Sequence, residues 1–175
     1  MILLGSRRKP EPDRPMVRPE MEPIDWLIEA SAILGLMIFL GFVIYHFQRL
    51  PETIPSHFDG SGKPDGWDDK STFWALPVIA FFIYFLLTFI SLIPNRFNYA
   101  VKITPANAMK QYTLAIRLIR YLKAAIIWLF FYISMATVRV ALYNGQGLTI
   151  WFLPMVLAGI FLPVIIYFIL SFRNR

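Results

Sequence analysis

The segment between the first two apolar runs of the sequence holds the side chains best suited to chemistry. His57, Asp59 and Asp65 lie among prolines and glycines in the string IPSHFDGSGKPDGW, residues 54–67. In extended backbone His57 and Asp59 point to the same side, because side chains alternate along a strand. One histidine with nearby carboxylates could hold a divalent metal ion, but zinc sites usually have more His or Cys ligands. We therefore predict no metal site and no cofactor here.

Calcium binding and catalysis fit this segment less well. The spacing Asp59-x-Ser61-x-Lys63 resembles the start of a calcium loop, yet it places a cation at the third ligand position. Pro64 also stands where such a loop needs glycine. A serine, His57 and Asp59 are too close along the chain to converge as a catalytic triad, and no second set of residues supports them. We expect that the chain is not an enzyme.

Prolines and glycines specify the shape of the same segment. A proline restricts the residue before it to extended backbone, which Pro55 does here. Gly60, Gly62 and the tetrad at 63–66 predict turns, and we expect Gly66 to adopt a positive φ. The sequence therefore predicts a compact, shaped loop rather than a flexible one.

This loop, residues 48–72, is the candidate recognition surface for a peptide, a partner subunit or lipid headgroups. Specified loops on a helical scaffold are where binding residues concentrate. The candidate binding residues are His57, Asp59, Asp65, Gly66 and Trp67. In the alternative interpretation the loop only closes the outer end of the helices, with Asp59 or Asp65 neutralising Arg139. If neither holds, the functional surface moves to the N-terminal tail.

Four apolar runs determine the fold class. Each has about the 20 residues that a helix needs to cross the hydrocarbon core of a bilayer. With 57% hydrophobic and only 16% charged residues, the chain has more apolar surface than a small soluble core can bury. We predict an all-α integral membrane protein with four transmembrane helices. The predicted spans are residues 24–47, 73–93, 122–143 and 150–172.

The basic residues are distributed unevenly around these spans. Thirteen of the 17 Lys and Arg residues lie before the first span, between the second and third, or after the fourth. By the positive-inside rule, those segments are cytoplasmic. Both termini are then predicted to be cytoplasmic, and the loop at 48–72 is predicted to be extracytoplasmic. The net charge of +6 is thus explained by topology, and we expect the lipid bilayer, not nucleic acid, as a partner.

Four polar side chains fall within or at the ends of the spans. Asp25 and Glu29 share one helix face, where we interpret them as interfacial carboxylates near the basic middle segment, with a proton or ion path as the alternative. Arg139 lies near the outer interface, as a snorkelling arginine or as a cation paired with the outer loop. His46 could ligate a haem or chlorophyll, but a lone histidine supports no assigned cofactor.

The remaining segments are the tail and the connection between the second and third spans. Residues 1–23 contain five prolines among charges and predict a flexible cytoplasmic tail, followed by a four-helix membrane domain at 24–175. Residues 95–121 predict a basic amphipathic helix that lies on the inner membrane surface or runs straight into the third span. The sequence has no cysteine, which excludes a disulfide in the outer loop.

Two strings resemble a known bacterial family. LPxxIPxHFxxxGxPDGWxxK at 50–70 closely resembles the domain of unknown function 1648, and ITPANAxxQY at 103–112 looks like its stand-alone members. The same loop occurs in the longer SdpI-like immunity proteins, which protect a cell against a secreted peptide toxin. The resemblance implies a multi-pass protein of the bacterial cytoplasmic (inner) membrane.

Three classes of function follow from these observations. The first is a binding or immunity-type module that uses its outer loop. The second is an accessory or structural subunit of a larger membrane complex, with a protein partner at the outer loop or the N-terminal tail. A transporter or enzyme is the least favoured, because the spans carry few polar groups beyond Glu29 and Arg139.

Overall fold

The computed structural model describes residues 14–175, and its fold is mostly helical. The four helices are α1 (Pro23–Phe47), α2 (Ala75–Ile90), α3 (Ala108–Tyr143) and α4 (Phe152–Arg173). A short 3₁₀ helix, Lys70–Trp74, leads directly into α2. In this part of the chain, four helical segments are long and apolar enough to cross a membrane, which confirms the predicted spans at that level. Residues 1–13 of the predicted flexible tail lie outside the described residues.

Two strands, which the predicted all-α class did not include, lie between α1 and α2. Strand β1 (Thr53–Phe58) and strand β2 (Pro64–Asp69) form an antiparallel hairpin. The register pairs Thr53 with Asp69 at the open end and Phe58 with Pro64 next to the turn. The register shifts around His57, so that His57 lies opposite Gly66. The loop predicted at 48–72 therefore contains a β-hairpin.

Helix α3 is longer than a membrane span. It has 36 residues, which corresponds to about 54 Å at 1.5 Å per residue. The predicted basic amphipathic helix is its first part and continues without a break into the third span. Helices α1, α2 and α4 all pack on α3, which makes it the central helix of the bundle.

The bundle has two chemically different ends. One end, here called the hairpin end, contains the hairpin and residues such as Thr137, near the C-terminal end of α3, which contacts Pro55 of β1. The other end, here called the basic end, brings together Asp25 of α1, Arg117 of α3 and the last turn of α4. Helices α1 and α3 therefore run in the same direction.

A continuous apolar core joins the hairpin to the helices. Ile54 of β1 and Phe73 of the 3₁₀ helix lie in the same buried cluster as Phe39 and Val43 of α1 and Ile127 of α3. Ile54 is only 1% exposed. Transfer of one such side chain from water into an apolar interior stabilises a fold by about 1.5–3 kcal/mol. The burial of Ile54 therefore holds the hairpin against the bundle.

Candidate functional site

The hairpin is tied to the loop between α3 and α4 at its turn. The amide of Leu148 donates a hydrogen bond to the carbonyl of Gly62 over 2.8 Å. Gly62 has a φ of +86°, and a Cβ atom on it would lie 2.1 Å from the Leu148 carbonyl oxygen. Only glycine fits both this backbone conformation and this close approach. The structure therefore has a turn at Gly60 and Gly62.

Asp59 organises the turn rather than facing a ligand. One of its carboxylate oxygens accepts hydrogen bonds from the Ser61 hydroxyl over 2.7 Å, the Ser61 amide over 2.8 Å and the Lys63 amide over 3.0 Å. The hydrogen bond from the Ser61 side chain, followed by that from the Lys63 amide, lowers the pKa of Asp59 below its usual value. Because its acceptor oxygen is engaged, we assign Asp59 to the architecture of the hairpin.

His57 and Asp65 form an exposed pair across the two strands. Nδ1 of His57 lies 2.5 Å from a carboxylate oxygen of Asp65. The side chains are 70% and 48% exposed, and Trp67 on β2 is 52% exposed. A carboxylate that bonds one ring nitrogen fixes the orientation of the imidazole. Three of the five predicted binding residues thus remain accessible on a fixed hairpin.

The structure corrects the prediction for Gly66. Gly66 lies within β2. Among the described residues, Gly62 is the glycine with a positive φ, and Gly66 does not adopt that conformation. A Cβ atom on Gly66 would lie 2.9 Å from Cβ of His57. Glycine is needed here because the two strands approach closely at the irregular pairing. The turn predicted at 63–66 was therefore wrong, since the turn precedes Pro64.

Arg139 does not pair with the hairpin carboxylates. Its side chain is exposed, and its guanidinium carbon lies 5.6 Å from the centre of the Tyr132 ring on the same helix. Asp59 bonds within the turn and Asp65 bonds His57. The proposed neutralisation of Arg139 by Asp59 or Asp65 is thus wrong, and the interpretation of Arg139 as a snorkelling arginine stays a prediction.

A cavity of about 350 Å³ lies where the hairpin meets the helices. It is lined mainly by apolar side chains of the hairpin, α2, α3 and the start of α4. His57 and Ser56 of β1 line it as well, together with Thr137 of α3. The cavity offers an apolar recess next to the exposed His57–Asp65 pair, which is the usual composition of a small binding site.

The basic end contains a second polar site, the ion-pair cluster, defined by Asp25, Glu29, Arg117, Arg120 and Lys123. Arg117 donates two hydrogen bonds to the two carboxylate oxygens of Asp25, at 2.9 and 3.0 Å. Arg120 lies 3.4 Å from the same carboxylate. Asp25 is only 1% exposed. Two arginines of α3 therefore neutralise a buried carboxylate of α1.

Glu29 and Lys123 continue the ion-pair cluster one turn deeper into the bundle. Nζ of Lys123 donates to Glu29 over 2.5 Å and to the Thr88 hydroxyl over 2.8 Å. The Tyr84 hydroxyl donates to the same oxygen of Glu29 over 3.3 Å. Lys123 is 1% exposed. Its ammonium group therefore connects α1 and α2 to α3.

These contacts agree with the interpretation of Asp25 and Glu29 as carboxylates beside basic residues. The sequence analysis did not identify their partners. The available signal was the spacing of Arg117, Arg120 and Lys123, which places three cations on one side of α3. Glu22 also lies 3.0 Å from Arg117, so that three carboxylates meet three cations, and these ion pairs act as a structural connection between α1 and α3.

His46 lies at the end of α1 among aromatic rings. Its ring centre is 4.4 Å from that of Phe42 and 4.9 Å from that of Tyr45. Its Nδ1 atom is buried without a hydrogen-bond partner in the described residues. Within residues 14–175, no group of three or more His, Cys, Asp or Glu side chains is placed to hold a metal ion.

The comparison with protein families identifies the hairpin segment. Residues 32–81 match the family described as "Domain of unknown function (DUF1648)". This segment, less than a third of the chain, is therefore similar to DUF1648. The match includes most of α1, the whole hairpin and the start of α2, whereas the string at 103–112 lies outside it. No curated protein and no solved structure matches the chain. The candidate site at His57, Asp65 and Trp67 thus lies inside the DUF1648 segment.

Proposed function

We propose that this chain is a multi-pass protein of the bacterial cytoplasmic membrane, with both termini in the cytoplasm. The distribution of charge supports this orientation. In the loop at 48–72, five carboxylates accompany three cations, whereas the described chain after Asp69 contains no Asp or Glu at all. Segments rich in Lys and Arg stay in the cytoplasm, so the hairpin faces outward.

We propose further that the protein is a binding module whose hairpin recognises a peptide or protein partner. The observation that carries this proposal is the exposure of the His57–Asp65 pair and Trp67 on a hairpin that buried Ile54 and Pro55 attach to the bundle. An exposed tryptophan beside a fixed polar pair provides apolar area and directed hydrogen bonds, which is the composition of interaction hot spots. The site needs no rearrangement before it binds, which lowers the entropic cost of association.

The chemistry of the hairpin favours a cationic partner segment. The Asp68 side chain makes no hydrogen bond or ion pair in the part of the chain that the structure describes, and it is exposed beside Trp67. Arg49, the nearest arginine in sequence, is occupied, since its guanidinium carbon lies 3.6 Å from the centre of the Tyr45 ring. An acidic surface with an exposed aromatic ring suits a basic, amphipathic peptide. The resemblance of the loop to SdpI-like immunity proteins supports such a peptide.

An accessory role in a larger membrane complex is the second candidate. One observation favours it: none of the most apolar 18-residue window of α4 is buried in the fold. Beyond its contact with α3, a helix that leaves so much apolar surface uncovered can face lipid, or it can contact a transmembrane helix of a partner. In this alternative α4, not the hairpin, provides the main contact surface.

Copurification after mild detergent extraction distinguishes the two candidates. For the binding module, we expect a monomer or small homo-oligomer, and a soluble or peptide partner whose retention is lost in the His57→Ala/Asp65→Ala variant. For the accessory subunit, we expect a stoichiometric membrane partner whose retention is insensitive to that variant. A partner that is retained equally by the wild type and the variant contradicts the hairpin proposal.

A further inference from the structure

The basic end holds an open cleft that the proposed function does not use. The cleft has a volume of about 750 Å³ and lies between residues 100–107, the start of α3 and the end of α4. Its cationic lining residues are Lys102, Lys110 and Arg175. Phe172 of α4, which is 49% exposed, forms an apolar wall.

The three cations of the cleft have no anionic partner in the fold. Lys102, Lys110 and Arg175 make no ion pair within residues 14–175. The carboxylates of α1 are already bonded to the ion-pair cluster of α3. No Asp or Glu follows Asp69 in the sequence. Within residues 14–175, no Asp or Glu side chain therefore compensates the positive charge of the cleft.

The position of the cleft at the start of α3 adds to this positive potential. The N-terminal end of a helix carries a partial positive charge, and cations in its first turn are disfavoured. Lys110 lies in the first turn of α3, and that turn has no acidic residue. An anion bound beside Lys110 would offset both charges. The local electrostatics thus favour an anionic ligand.

Buried hydrogen bonds hold the cleft walls in place. The side-chain amide of Gln111 donates to the carbonyls of Ser171 over 2.9 Å and Asn174 over 3.1 Å. The Ser171 hydroxyl donates back to Gln111 over 2.7 Å. Both Gln111 and Ser171 are fully buried. These bonds fix the end of α4 against α3, so that Arg175 and Lys110 line the same cleft.

We propose that this cleft binds a phosphate group. The phosphate has two possible sources, the headgroup of an anionic phospholipid and a free phosphate compound. The two differ in the use of Phe172, because only a lipid has an acyl chain to contact the exposed apolar wall. The basic end is also where the interface of the inner leaflet lies in the proposed topology.

Lipid retention by the full-length protein tests the proposal. The protein is purified in mild detergent and incubated with phosphatidylglycerol or phosphatidylcholine. Native mass spectrometry then measures how much lipid stays bound. We expect preferential retention of phosphatidylglycerol, reduced about 25-fold in Lys102→Gln/Lys110→Gln because each cation near an anionic headgroup contributes about fivefold. Arg96→Gln is the matched control, since it removes an exposed cation outside the cleft at the same end.

Inorganic phosphate and inositol hexakisphosphate form the second arm, measured as a shift in thermal unfolding. Stabilisation by these compounds, lost in the double variant, supports a free phosphate ligand. Stabilisation by phosphatidylglycerol alone supports the headgroup. Equal retention of both lipids with no stabilisation by either phosphate compound, or identical behaviour of the double variant and Arg96→Gln, overturns the proposal. Both lysines are exposed and unbonded, so the variants are expected to fold.

Discussion

Lys123 of α3 holds its ammonium group 2.5 Å from the carboxylate of Glu29 on α1, with 1% of the lysine exposed. A charge at such a position is costly unless it is paired, and here the partner lies 94 residues away in the sequence. The pair therefore depends on the correct packing of α1 against α3. We therefore expect the loss of this pair to lower the free energy of unfolding of the whole bundle.

Removal of one partner of this pair is the first prediction. Lys123→Met leaves the Glu29 carboxylate without its closest cation, and we expect a loss of about 3–5 kcal/mol in the free energy of unfolding. The double variant Glu29→Gln/Lys123→Met removes both charges and should regain most of that loss. Titration with sodium dodecyl sulfate in mixed micelles measures the free energies.

The exposed pair of Lys70 and Glu52 supplies the control. Its atoms lie 2.7 Å apart, but the Glu52 side chain is 79% exposed. Lys70→Met should therefore cost no more than about 1 kcal/mol. If Lys70→Met and Lys123→Met lowered the free energy of unfolding equally, the buried pair would be no more stabilising than the exposed pair.

The second prediction concerns the two glycines of the hairpin turn. Gly62→Ala places a Cβ on a residue with a φ of +86° and directs it at the Leu148 carbonyl. We expect a loss of at least ~1 kcal/mol from the backbone conformation alone. A Cβ on Gly60 meets nothing within 4 Å, so Gly60→Ala should be nearly neutral. Protease resistance of the hairpin in membranes reports both, and similar behaviour of the two variants would contradict the assigned turn.

Acid should loosen the same turn. The pKa of Asp59 lies below its unfolded value of 3.8 because it accepts the hydrogen bond from Ser61 and then that from the Lys63 amide. A carboxyl group with a lowered folded-state pKa contributes stability above pH 3.8, and this contribution is lost as the pH falls through the folded-state pKa. Protection of the Ser61 and Lys63 amides from hydrogen exchange, relative to an unfolded peptide at the same pH, should fall in that window. In Asp59→Asn this loss of protection below pH 3.8 should disappear; if it persists, another group controls the turn.

How far the sequence predicts this fold depends on the range of the interactions involved. The spans follow from local apolar runs, and α4 from Phe152 to Arg173 closely matches the predicted 150–172. Gly66 shows where local signals fail. Pro-Asp-Gly is a common turn sequence, but the pairing of Gly66 with His57 across the strands decides its conformation. The pairing of Lys123 with Glu29 likewise could not be predicted, because it depends on the packing of two helices that are distant in sequence.

Orientation in the membrane is the fourth prediction. The chain has no cysteine, so Ser61→Cys gives a protein with a single thiol. We expect a membrane-impermeant maleimide to label it in intact cells, since the hairpin faces outward. The Arg96→Cys variant, with its thiol at the basic end, should react only after the membrane is permeabilised. The reverse pattern would invert the proposed topology and place the hairpin in the cytoplasm.

The central claim is that the hairpin recognises a partner, and site-specific photocrosslinking tests it most directly. Benzoylphenylalanine replaces Trp67 in one variant and Trp151 in the other, because Trp151 is 67% exposed at the same end but lies outside the hairpin. We predict a discrete peptide or protein adduct from position 67, absent at position 151 and abolished by His57→Ala/Asp65→Ala. No adduct at position 67, or the same adduct from both positions, would contradict the claim.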